Sequence, residues 1–175
     1  MSDPGFDRDM VRRYLMELGA ELDRHGVRGE LYLVGGAALA LAYDARRTTR
    51  DVDAVFEPKE AVYKAAAVLA ERYGLPDAWL NDAVKGLVPA GDTDAVCVLD
   101  VPGLAVSVAS PRYLLAMKVA AARVDRDADD ITLLADLSGA HTAGEVLDIV
   151  VSVWGTQARL TPKAQFLVEE LFGSD

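Results

Sequence analysis

Cysteine is nearly missing from this chain. Cys97 is the single one in 175 residues, so no internal disulfide forms, and its place between Val96 and Val98 predicts a small buried hydrophobe. Long apolar runs are missing too. None reaches the roughly 18 residues that a membrane span needs, and the opening Met1–Asp9 is too acidic for a signal peptide. A cytoplasmic protein without a membrane partner is the expectation. There is no internal repeat, low-complexity tract or flexible linker. Positive charge is scarce: 18 Lys and Arg against 28 Asp and Glu give a formal net charge of −10. That balance argues against a broad nucleic-acid groove, because phosphate backbones are gripped by clustered lysine and arginine. The cations that exist come in local groups, Arg46, Arg47 and Arg50 in one, Arg112, Lys118, Arg123 and Arg126 in the other.

The rest of the composition is that of a globular protein, 51% hydrophobic and 26% charged. A chain of this length makes one domain that buries about 70% of its unfolded surface. Residues 7–25 carry Met10, Tyr14, Leu18 and Leu22 at helical spacing and predict an amphipathic helix. Leu31–Val34 reads as a short strand, Gly35-Gly36 as a turn and Ala37–Tyr43 as a helix of small residues. After a second strand, Pro58 opens a helix with Ala61, Ala65, Val68 and Leu69 inward, ending at Gly74. Trp79–Lys85 reads as one or two helical turns. Ala95–Leu99 and Leu104–Val108 are strand candidates around the turn Asp100–Gly103. Ser110, as a capping hydroxyl, and Pro111 open a helix to about Val124, with Lys118 on the same side as Leu114 and Leu115. The acidic stretch Asp125–Asp130 fronts another helix, on which Asp127 and Asp130 share a face. Two amphipathic helices follow, near 142–154 and 162–172. The pattern predicts an α+β (mixed α/β) fold: a sheet-containing core at about 27–110 and a helical part at about 110–175, within the single domain 1–175.

Chemistry concentrates at Gly35-Gly36 and at Thr48-Thr49-Arg50-Asp51-Val52-Asp53. Alternation along a strand puts Asp51 and Asp53 on one face and Val52 and Ala54 on the other. Two anions about 6 Å apart at an effective dielectric near 20 repel by about 3 kcal/mol, so a cation belongs between them. Magnesium suits such a pair, because it takes one or two carboxylates and completes its shell with water and substrate phosphate. The bland alternative pairs both carboxylates with Arg46, Arg47 or Arg50 as ordinary ion pairs.

The order Gly35-Gly36, helix, Asp51-x-Asp53 resembles the signature of the polymerase β-type nucleotidyltransferase superfamily in its small bacterial branch. Leu114–Lys118, Arg126-Asp127 and Asp130-Ile131 are similar to the lysine and acidic motifs of AbiE-type toxin nucleotidyltransferases. With Trp79–Asp82, the likeness covers roughly residues 30–138. The resemblance implies a nucleotidyltransferase-like small mixed sheet flanked by helices. It also implies transfer of a nucleoside monophosphate from a nucleoside triphosphate to a hydroxyl of an RNA such as tRNA, or of a protein. Gly35 and Gly36 would cradle phosphates, with Thr49 and Arg50 beside them, and Asp51 and Asp53 would hold magnesium. Lys118 would contact the triphosphate, and Asp127 or Asp130 would orient Lys118 or the acceptor. Some toxin relatives are modified by a paired antitoxin at a hydroxyl position like that of Thr49, which implies an antitoxin partner. Two departures stand out. Ala37 replaces the serine that many members carry after the glycines, and the third carboxylate of a two-metal site is open among Asp82, Asp94 and Asp100. Both departures favour the alternative of an inactive nucleotide- or partner-binding module of the same fold.

Overall fold

The computed structural model describes residues 5–173, so the acidic opening at Met1–Asp9 lies partly outside the described residues. The fold is α+β. Among the described residues it has a mixed five-stranded sheet and seven α-helices. The chain divides into two compact units, Met1–Gly86 with Asp94–Ala109, and Leu87–Thr93 with Ser110–Asp175.

The first unit holds the sheet. Its strands are β1 (Gly29–Leu33), β2 (Val52–Glu57), β3 (Leu80–Asn81), β4 (Val96–Val101) and β5 (Leu104–Val108), in the spatial order β3-β2-β1-β5-β4. β1 runs antiparallel to β2 and parallel to β5, while β3 is parallel to β2 and β4 antiparallel to β5. Leu31, Leu33, Ala54, Phe56, Leu104, Val106 and Val108 are buried on one face. That face lies under α1 (Arg8–Arg24) and α3 (Lys59–Tyr73), since a Cβ on Gly29 would meet Leu22, Leu104 and Val62. Alternation leaves Glu30, Tyr32, Asp53, Val55, Ala105 and Ser107 on the other face, half-buried or exposed. Glu21 of α1 is a carboxylate only 6% exposed. The Arg24 guanidinium, ahead of His25 and Arg72, holds its carboxyl below the usual range, and Arg72 thereby ties α3 to α1.

Several local expectations change. Trp79–Val84 is not helical: Leu80 and Asn81 form β3, because Trp79 O accepts from Val52 N–H at 2.6 Å and joins this segment to β2, and the helical turn is a short 3-10 one at Lys85–Leu87. Gly35 and Gly36 open the helix rather than precede it: α2 is Gly35–Ala38, followed by a π-helical turn at Leu39–Tyr43. Cys97 is exposed rather than buried, because β4 is an edge strand whose Val96 is also exposed. In α3 the buried stripe is Val62, Ala65, Ala66, Leu69 and Ala70, which leaves Val68 37% exposed.

The second unit contains α4 (Pro111–Ala121), α5 (Val124–Leu137), α6 (Ala143–Trp154) and α7 (Pro162–Phe172). Leu114, Leu115, Val119, Ile131, Leu134, Val146, Val150 and Leu167 make its core. Thr142 and Glu145 form a capping box on α6. α4 stops earlier than its sequence suggests, with Ala122 in a left-handed conformation at φ 48. Ser110 is its N-cap residue, but the hydroxyl makes no capping bond. It is the Ser110 backbone N–H that is engaged, donating to Asp92 Oδ2 at 2.8 Å.

Candidate active site

The glycine turn and the second acid face one another for local reasons. Leu33 pairs with Ala54, and Val34 N–H donates to Asp53 O at 3.0 Å, so the ladder continues one residue past β1. The chain then breaks away at Gly35, whose φ of +64° suits glycine. A Cβ there would lie 3.3 Å from Asp53 Oδ2, so the Asp53 carboxylate stands directly against the turn. Val52 and Ala54 are fully buried, and Asp53 between them is half-buried on the opposite side. Asp51 stands in the bend just ahead of β2, outside the strand that the sequence pattern extended to it. Among the described residues its pairing begins only at the next amide, where Val52 N–H donates to Trp79 O.

Thr49 is half-buried and Arg50 exposed. The Thr49 hydroxyl donates to Asp51 O at 2.8 Å. It also occupies the space in front of Gly36, where a Cβ would come 2.8 Å from Thr49 Oγ1. Arg46, with its side chain 95% exposed, has Nε 3.7 Å from Asp44. The structure thus gathers Gly35, Gly36, Thr49, Asp51 and Asp53 at one end of the sheet.

The donor chemistry of Asp51 and Asp53 is compatible with a divalent ion. The Asp53 carboxylate stands beside the turn, with Asp51 two residues ahead of it, and carboxylates suit an ion that draws its remaining oxygens from water and phosphate. Among the described residues no three His, Cys, Asp or Glu side chains group to hold a metal by themselves. The open candidates for a third acid are drawn elsewhere. Asp82 follows Asn81, which pairs with Asp53, so alternation turns Asp82 to the α3 side. There Lys59 Nζ lies 2.6 Å from Oδ2 and the Tyr63 hydroxyl 2.5 Å from Oδ1. Lys59 first, then Tyr63, hold its carboxyl below the usual range. Asp100 pairs with Arg28 at 2.6 Å, and Asp94 is exposed in the turn before β4.

In the second unit α4 and α5 bring Lys118, Asp127 and Asp130 together. Lys118 Nζ is 2.9 Å from Asp127 Oδ1 and 2.9 Å from Asp130 Oδ2. The side chains are 17%, 12% and 7% exposed. The lysine on the apolar side of α4 is explained by these partners. Asp127 and Asp130 lie three residues apart on α5 and share a face, so one ammonium reaches both. Removing two carboxylates from water is costly unless a cation pairs with them.

Two contacts at the sheet end had no sequence signal. Phe6 bridges to Thr49, and the Tyr43 hydroxyl donates to Ala109 O at 2.8 Å, each linking segments far apart in the chain. A cavity of about 520 Å³ lies at the other end of the strands, before β1 and after β2. Its walls, including Leu22, Val27, Pro58, Ala61 and Val68, are mainly apolar.

No curated protein and no solved structure matches this chain. A family model does, over residues 13–139, a span that takes in the glycine turn, both acids at 51 and 53, and the lysine cluster of α4 and α5. The chain therefore belongs to the family described as a nucleotidyltransferase of unknown function (DUF6036).

Proposed function

We propose that this protein is a magnesium-dependent nucleotidyltransferase that moves a nucleoside monophosphate from a nucleoside triphosphate to a hydroxyl of an RNA, such as a tRNA, or of a protein. We further propose that it serves as the toxin of a toxin–antitoxin pair. The observation that carries the reading is the 3.3 Å from a Cβ position on Gly35 to Asp53 Oδ2, which sets a carboxylate against the glycine turn. Family membership supports the reaction class.

In this reading the backbone amides at the start of α2, which lack intrahelical acceptors, receive phosphate oxygens. Asp51 and Asp53 hold the magnesium ion, which when bound supplies charge neutralisation for the displacement. The acceptor oxygen forms a bond to the α-phosphorus, the bond to the bridging oxygen breaks, pyrophosphate leaves, and the hydroxyl proton passes to solvent. The protein's own part is mainly positioning. Within the second unit the Lys118 ammonium is held by Asp127 and Asp130. Arg50 adds positive charge beside the acids.

A second reading, an inactive nucleotide-binding module, is favoured by one observation. On the open face β5 presents Ala105 and Ser107, with no carboxylate. One assay separates the two. Each labelled nucleoside triphosphate is incubated with the protein, magnesium, and either total RNA or total protein. Label transfer and pyrophosphate release by wild type, lost in Asp51→Asn and Asp53→Asn, is the expected result, and the labelled fraction identifies the acceptor. Nucleotide binding with neither transfer nor pyrophosphate release overturns the enzyme reading. Growth arrest on expression that depends on Asp51 is the expected mark of a toxin.

A further inference from the structure

Thr49 is where three separate stretches of the first unit meet. Its backbone pairs with Phe6 in both directions: Phe6 N–H donates to Thr49 O at 2.6 Å, and Thr49 N–H donates to Phe6 O at 2.9 Å. Gly5 permits this approach, because a Cβ there would sit 2.9 Å from Thr49 O. Phe6 is 7% exposed, and its ring meets that of Tyr14 edge-on at 5.6 Å, so the arm is anchored on α1. On its other side Thr49 reaches the acid and the turn. Its hydroxyl donates to Asp51 O at 2.8 Å and fills the space that a Cβ on Gly36 would need. The hydroxyl proton is thus committed to the Asp51 backbone.

We infer that Thr49, backed by the Gly5–Phe6 arm, is a positioning residue that fixes Asp51 relative to the glycine turn for divalent-ion binding. Asp51 precedes β2, and the peptide that joins it to Val52 is held on one side by the Val52 N–H bond to Trp79 O at 2.6 Å and on the other by the Thr49 hydroxyl on Asp51 O at 2.8 Å, so Thr49 completes a restraint that strand pairing begins. Groups behind a metal ligand commonly govern affinity because they set its orientation before the ion arrives. The role differs from the phosphate contact that the sequence motif implies for Thr49. It rests on the proposed assignment of Asp51 and Asp53 as metal ligands.

The test uses Mn²⁺ alone, titrated into the full chain and followed by loss of the free-ion EPR signal, with circular dichroism to confirm folding of each variant. Thr49→Ser keeps the hydroxyl and binds as wild type does. Thr49→Val binds about tenfold more weakly or worse. Gly5→Ala touches neither carboxylate but displaces the arm, and it shows the same loss, so it carries the test if Thr49→Val does not fold. Wild-type affinity in folded Thr49→Val or in Gly5→Ala overturns the positioning role. So does equal weakening in Thr49→Ser and Thr49→Val. Failure of wild type to bind Mn²⁺ overturns the metal-ligand assignment itself and this inference with it.

Discussion

At the scale of single residues, Gly35 carries the tightest constraint. Its φ of +64° is costly for a residue with a Cβ, and the added atom would press on Asp53 Oδ2 at 3.3 Å. Gly35→Ala is expected to lose about 1–2 kcal/mol of stability, the cost of a left-handed backbone at a non-glycine residue. Denaturant unfolding measures that loss. Nucleotide transfer is expected to fall further than the lost stability accounts for, because the carboxylate moves with the turn. Gly36 is constrained differently. Its backbone is ordinary, and what requires glycine is the Thr49 hydroxyl 2.8 Å from where a Cβ would be. Two adjacent glycines that read alike in the sequence therefore answer to two different neighbours.

Among the elements, the α4–α5 pair stands on one ion cluster. Lys118 lies between two buried carboxylates and pairs with both. Lys118→Met removes the ammonium that both buried carboxylates share, and is expected to destabilise the protein by about 3 kcal/mol. Adding Asp127→Asn and Asp130→Asn to that variant is expected to recover most of the loss, as read by the denaturation midpoint. A lysine whose stem merely covers apolar surface would give a much smaller effect and no recovery. Asp127 and Asp130 were legible as a pair because helical spacing puts residues three apart on one face. Their partner is reached only when α4 and α5 pack together. Element identity was least legible at β3, whose two residues carry no period and become a strand only through pairing with β2.

For the whole molecule, the chain passes between the two compact units at 86/87, 93/94 and 109/110, so neither is one continuous segment. Each unit carries one tryptophan, Trp79 in the first and Trp154 in the second. We expect the chain to unfold as one cooperative domain. Single-tryptophan variants Trp79→Phe and Trp154→Phe are expected each to show the same midpoint by fluorescence and by circular dichroism. Separated midpoints would show two domains of independent stability. Trp79 is fully buried with its indole N–H on Ala66 O, and Trp154 donates to Ala116 O, so each ring reports packing within its own unit.

The sequence by itself determined the features whose causes are local. Apolar spacing marked α1, α3 and α5 to α7, and alternation put Asp53 opposite Val52 and Ala54. The diglycine followed by Asp-x-Asp marked the end of the sheet where the candidate site lies. Tertiary structure alone decided what depends on which strand or helix lies alongside. It made β4 an edge strand and so exposed Cys97, and it turned Asp82 toward Lys59 and Tyr63. It also joined Lys118 to both aspartates and set Phe6 against Thr49. The physical reason is one of range: backbone periodicity acts over a few residues, whereas pairing and ion contacts form between segments that only the packed fold brings within bonding distance.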